Sequence, residues 1–230
     1  MKNKKIIILI ILLIINVYLL LYFINFNIIA FDKNFYKKEF LKYDVYSKLA
    51  NEDIEKINND VLLYLKHGNN ELIKNDFFNT KEKQHLLDVK NLIQGLNLFF
   101  YFLIILFFFL LLTLFFLVKN KKKRVKYIVI ILIGSSLLTI VDVFFFWLIV
   151  KLNFAGFFDK FHNLFFKPGT WIFDPAVDKI ITLYPQGFFY DITIKIILDT
   201  LFWALILILI GILFIVLVYN KKIYKQTENK

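Results

Sequence analysis

The chain has 230 residues, of which 59% are hydrophobic, 19% aromatic and 20% charged, with 29 Phe and no Cys. Soluble domains hold roughly 45–50% apolar residues, so this composition excludes an ordinary water-soluble enzyme and a disordered chain. The lack of Cys excludes disulfides, thiolate metal sites, Cys nucleophiles and Cys lipidation, and the net charge of +11 would suit nucleic acid only if it formed one patch.

Four runs are long and apolar enough to cross a bilayer, which takes roughly 20 residues. They cover residues 6–29, 96–118, 127–150 and 192–219. The first run is too long for a signal-peptide core and has no A-x-A-like cleavage site, so it is read as an uncleaved span. The chain therefore divides into a first membrane helix within 1–31, a polar segment 32–95, a second helix 96–118, a basic loop 119–126, a third helix 127–150, an aromatic segment 151–191, a fourth helix 192–219 and a tail 220–230. The fold class is an all-α integral membrane protein with four transmembrane helices and a mostly helical outer cap built from the two longer segments.

Charge orients this arrangement. The amino terminus, the 119–126 loop and the tail carry 13 basic residues against one acid, Glu228. The segment 32–95 has 11 Lys and 11 acids, and 151–191 has four of each. Lys and Arg favour the cytoplasmic side, so both termini are expected in the cytoplasm and both long segments outside, in a cell (plasma) membrane. The basic excess is then a topology signal and a contact for anionic membrane lipid, and no nucleic-acid partner is expected.

Within 32–95, Ile54, Ile57, Val61, Leu62 and Leu65 recur at helical spacing, with Asn51 as the expected N-cap. His67-Gly68-Asn69-Asn70 reads as a helix stop. A further helix starts near Thr80 and runs through His85 into the second span. The segment 151–191 combines helix breakers with a dense aromatic series, from Phe154 through Phe166, Trp171 and Phe173 to Tyr190, which suits an interfacial location.

Histidine is the most economical acid–base group near neutral pH, and the chain has three. His67 lies in a turn. His85 and His162 come from the two different outer segments, and each has a carboxylate one helical turn away, Asp88 and Asp159. A carboxylate bonded to one imidazole nitrogen would leave the other free as a base. Two His and two Asp also resemble a zinc donor set, but no H-E-x-x-H pattern exists, and neither metal nor cofactor is expected. Serine nucleophiles are scarce: Ser135 and Ser136 lie inside the third span, Ser47 is outside, and there is no G-x-S-x-G elbow. Asp142, Lys195 and Asp199 sit within spans, either as interhelical partners or as a polar floor beneath a site.

The stretches His85-Leu-Leu-Asp88-Val89-Lys90, Phe161-His162-Asn-Leu-Phe-Phe166, Trp171 and Leu183-Tyr184-Pro185-Gln-Gly-Phe188-Phe189-Tyr-Asp191 resemble the lipoprotein intramolecular transacylase (Lit) family of low-GC Gram-positive bacteria. Span count, length and motif order fit over nearly the whole chain. The resemblance implies an acyltransferase whose partner is a diacylglyceryl-modified lipoprotein. It implies movement of the sn-2 acyl chain to the α-amine of the lipoprotein's amino-terminal Cys, giving the lyso form, with His85 and His162 as the catalytic pair on the outer face. Asp88 and Asp159 would orient the pair, a role that rests on their spacing and not on the resemblance. One histidine would deprotonate the amine. The other, as imidazolium, would steady the oxyanion and protonate the departing glyceryl oxygen. A non-catalytic accessory protein, with the two histidines apart and in water, and a metal-dependent membrane hydrolase are the alternatives.

Overall fold

The computed structural model describes the backbone of residues 2–69, 71–167 and 169–227, and side chains among residues 3–217. The described residues are helical throughout their ordered elements: α1 (Lys2–Ile29), α2 (Lys33–Lys42), α3 (Val45–Lys48), α4 (Ile54–His67), α5 (Thr80–Leu117), α6 (Lys121–Leu152), α7 (Phe154–Phe165), α8 (Ile180–Leu183) and α9 (Gln186–Thr227). No strand occurs among them. The expected tail is partly a continuation of α9, and Glu228 and Lys230 lie outside the described residues.

Four helices, α1, α5, α6 and α9, are long and apolar enough to cross a membrane. Their most apolar stretches are only 17–33% buried within the protein. A helix apolar all round and mostly uncovered has no stable place in water and needs an apolar solvent. Helix α5, at 38 residues, would be about 57 Å long. It far exceeds the roughly 30 Å of a bilayer core, and the apolar run 96–118 is the part suited to span.

The chain forms two compact units. The first comprises residues 1–25, 100–146 and 197–230, and consists of segments of the four long helices. Its core gathers Leu9, Leu13, Leu110, Leu114, Val118 and Ile131. Gly134 lets α6 approach α1 closely, since a Cβ there would lie 2.9 Å from Ile14 Cδ1. Asn16 donates to the Leu103 carbonyl at 3.1 Å, and Tyr22 donates to Asp142 Oδ2 at 2.7 Å. Asp142 is therefore an interhelical acceptor. Lys195 and Asp199 also have interaction partners.

The second unit comprises residues 26–99 and 147–196. Its core packs Tyr36, Phe40, Val61, Leu65, Leu183 and Phe188. Asp32 caps α2 by accepting from Asn34 and Phe35 N–H. Helix α4 is capped by Asp53, which accepts from Lys56 N–H, and not by Asn51. It ends at Gly68, as the turn sequence implies. The segment 151–191 is more ordered than its Gly and Pro content suggests. Asn153 caps α7 by accepting from Gly156 N–H at 2.9 Å, and it is the single residue between the end of α6 and the start of α7.

Candidate active site

The start of α5 explains the placement of His85. Asn79 N–H donates to Glu82 Oε2 at 2.6 Å and Glu82 N–H donates to Asn79 Oδ1 at 3.0 Å. This is a reciprocal capping box with Asn79 as the N-cap, and α5 starts at Thr80 as the sequence suggests. Glu82 is buried, and its second oxygen accepts from Ile180 N–H at 2.6 Å, at the start of α8. Asn79 Nδ2 donates in turn to Asp178 Oδ1 at 2.7 Å. One carboxylate thus ties the first turn of α5 to α8, and His85 follows one turn later. Nothing in the composition of this segment marks Glu82 as special; the signal is the Asn79-x-x-Glu82 spacing.

His162 lies in the last turn of α7. The two imidazoles, from the separate segments 32–95 and 151–191, come together as nearly parallel rings with centroids 6.1 Å apart and 19° between planes. Both residues are buried, with 7% and 8% exposure. Phe166 sits against both rings, 5.0 Å from His85 and 5.3 Å from His162. Phe173 edges His85 at 5.3 Å, while Phe158 and Trp171 lie 4.0 and 4.8 Å from His162. His67 ends α4 and has no ring contact with the pair.

The carboxylates do not play the part their spacing suggests. His162 Nδ1 bonds to the Phe158 carbonyl at 2.7 Å. A carbonyl only accepts, so Nδ1 carries the proton and Nε2 is left with a lone pair. Asp159 is exposed and reaches His162 only through its charge. Asp88 is half-buried, and His85 Nδ1 has no hydrogen-bond partner at all. The physical reason lies in helix geometry: side chains lean toward the preceding turn, where the i−4 carbonyl is nearer to Nδ1 than a flexible carboxylate.

Burial first, and then repulsion from His162, hold the His85 imidazole well below its ordinary range, at about 4. Burial also lowers His162, opposed by its bond to the Phe158 carbonyl and by the charge of Asp159. Both rings are therefore neutral at pH 7. Among the described residues, no three His, Asp or Glu side chains gather where they could hold a metal ion. Ser135 and Ser136 are buried and donate to the Leu132 carbonyl, and Ser47 is exposed.

Residues 7–189 match the family described as lipoprotein intramolecular transacylase Lit. The chain belongs to this family. Membership of the Lit family makes it an acyltransferase. Among solved structures, the chain is similar to the membrane-integral lipoprotein intramolecular transacylase Lit from Bacillus cereus, with 22% identity, a TM-score of 0.78, and coverage of 96% of this chain and 99% of that one. Variants of the Bacillus cereus Lit with one histidine replaced by arginine or by alanine match with TM-scores of 0.76, at 22% and 21% identity. They cover 97% and 96% of this chain, and 96% and 97% of theirs. These likenesses establish the Lit fold and a multi-pass membrane protein. No curated protein matches the sequence. The accessory-protein alternative expected the two histidines apart and in water, whereas they are buried and in contact.

Proposed function

We propose that this Lit-family chain moves the sn-2 acyl chain of a diacylglyceryl-Cys to the α-amine of the same Cys, by acid–base catalysis at His85 and His162. The observation that carries this reading is the contact of the two imidazoles, from opposite parts of the sequence, in one buried aromatic nest. The transfer closes an eight-membered ring, so holding amine and ester in a near-attack arrangement contributes much of the rate.

His162 is the base. Its Nδ1–H is committed to the Phe158 carbonyl, and Nε2 accepts a proton from the amine as nitrogen attacks the ester carbonyl. The N–C bond forms as the carbonyl electron pair moves onto oxygen. That pair returns, the C–O bond to the glyceryl group breaks, and the glyceryl oxygen takes a proton from the histidine pair. One proton leaves nitrogen and one arrives on oxygen, so the pair returns to its starting charge. His85, held neutral by burial, contributes an N–H donor rather than an imidazolium. This revises the expectation of a resting charged histidine.

The basic residues of the amino terminus, the 119–126 loop and the tail support cytoplasmic termini and a site on the outer face. There the acyl chains of a lipoprotein remain in membrane lipid while its Cys meets the enzyme. Asp159 tunes His162 through its charge.

Tandem mass spectrometry of the amino-terminal peptide of a diacylated lipoprotein, with and without this protein, tests the reading. An N-acyl fragment with a monoacylglyceryl Cys at unchanged total mass is the expected result. Loss of one acyl mass would mean hydrolysis and overturn it.

A further inference from the structure

Two polar atoms in the histidine nest are buried and bonded to nothing within the chain: His85 Nδ1 and Trp171 Nε1. An indole N–H is a donor only and stays protonated throughout the working pH range. Leaving one unpaired in a buried place costs free energy. Such a cost is tolerated where a ligand completes the bond.

The segment carrying Trp171 is held in place on both sides. Thr170 donates through its hydroxyl to the Lys167 carbonyl at 2.8 Å. The Ile172 carbonyl accepts from Lys81 Nζ, one residue before Glu82. Side chains then alternate along the segment. Trp171 packs on His162, Phe173 packs on His85, and Ile172 between them is 59% exposed. The indole is therefore a fixed member of the nest.

We propose that Trp171 Nε1–H donates a hydrogen bond to the carbonyl oxygen of the migrating acyl group, and that this bond strengthens as the oxygen becomes an oxyanion. The proposal rests on the transacylase reading above and adds the group that reading lacks. His162 deals with the amine proton and His85 with the glyceryl oxygen, which leaves the carbonyl oxygen without a partner. When nitrogen attacks, the C=O pair moves to oxygen and the indole N–H stabilises the charge. When the pair returns, the C–O bond to the glyceryl group breaks and the indole is unchanged. Donors aimed at a developing oxyanion act mainly in the transition state, so Trp171 affects kcat rather than KM.

The test uses the full-length protein in detergent–lipid micelles with a synthetic lipopeptide bearing an amino-terminal S-diacylglyceryl-Cys. Trp171 is replaced by 3-benzothienylalanine, in which sulfur stands for the N–H at the same shape, and separately by Phe. The expected result is a fall in kcat of about 100-fold for both, with KM changed less than about threefold. If the benzothienyl variant keeps wild-type kcat while W171F loses it, the indole serves only by shape and the proposal is overturned. H162N measured alongside separates the two levels. An inactive H162N upholds the transacylase reading whatever Trp171 does, whereas a fully active H162N overturns that reading and this proposal with it.

Discussion

His85 and His162 face each other as near-parallel rings 6.1 Å apart, and neither ring's Nδ1 is bonded to a carboxylate. Two buried imidazoles in mutual contact disfavour each other's protonation, on top of the burial that disfavours charge on either. The pair is thus built to pass a proton at the moment of reaction rather than to hold one at rest.

Replacement of His162 by Asn is expected to lower kcat by about 10²- to 10⁴-fold, the usual contribution of a general base. H85N is expected to fall in the same range. The pH profile distinguishes the roles. The substrate α-amine, with a reference pKa near 8, makes log rate rise by about one per pH unit below that value. Protonation of His162 adds a second unit of slope at lower pH. Because His162 is held below its ordinary 6.5, the steepening should begin beneath pH 6.5. Stopped assays from pH 5 to 9 check this, and a break at or above 6.5 would remove His162 from the role of base.

Stability should carry the same imprint. Unfolded, His85 takes a proton below its ordinary 6.5; folded, it does so only below about 4. The unfolded state binds more protons in that window, so stability is complete above pH 6.5 and declines as pH falls toward 4. The loss amounts to about 3 kcal/mol at most. Unfolding in detergent at pH 7 and pH 4.5 measures it. H85N should show a smaller decline over the same range, and an unchanged decline would show that His85 is not the group responsible.

Glu82 is the most consequential structural residue near the pair. It completes the capping box of α5 and accepts from Ile180 N–H. E82A removes two acceptor bonds and strands the Asn79 and Ile180 N–H groups, a loss of about 2–4 kcal/mol. E82Q keeps one acceptor but turns an amide donor toward a backbone N–H, and should recover little. Thermal unfolding in detergent is the measurement. Activity should fall alongside, because His85 stands one turn beyond this anchor.

Much of this was readable in advance, for identifiable reasons. The four spans follow from run length, and the stop at Gly68 and the onset of α5 follow from turn and cap chemistry. The two histidines stand out because so few exist. Three things were not readable. Asn51 and Asp53 are both good caps, and only the fold selects Asp53. Asp159 has the right spacing to orient His162, yet the Phe158 carbonyl wins because it is already fixed one turn back. Trp171 carries no sequence sign of its unpaired N–H, since satisfaction of a donor is a property of the packed state.

Asp142 behaves as an acceptor for Tyr22 at 2.7 Å. An Asn at 142 can accept the same bond through its amide oxygen, so D142N should keep nearly full stability and activity. D142L leaves the Tyr22 hydroxyl without this acceptor in an apolar setting, and about 1–3 kcal/mol should be lost. Melting curves of the two variants decide between them. Equal loss in both would show that the charge, and not the hydrogen bond, is what matters at 142.

Gly187, in the first turn of α9, offers a sharper discrimination. Alanine favours helices over glycine by up to about 1 kcal/mol, so G187A alone would be expected to stabilise α9. The packed structure reverses this. A Cβ at 187 would lie 2.5 Å from Tyr43 Oη and 2.6 Å from its Cε1 and Cζ. Tyr43 has little freedom to retreat, because its hydroxyl donates to Asp191, which also holds Lys42. Asp191 in turn stands beside Glu39, whose carboxyl is pushed up to about 7 by burial and then by Asp191 itself. Forcing the Tyr43 ring aside breaks its bond to Asp191, and a net loss of about 1–3 kcal/mol is expected from the overpacking. The double variant Y43A/G187A separates the causes. With the ring gone, adding G187A should raise the melting temperature relative to Y43A alone, as helix propensity then acts unopposed. A lone G187A that melts higher than the wild type would show that Tyr43 moves freely and that the glycine is not there to admit it.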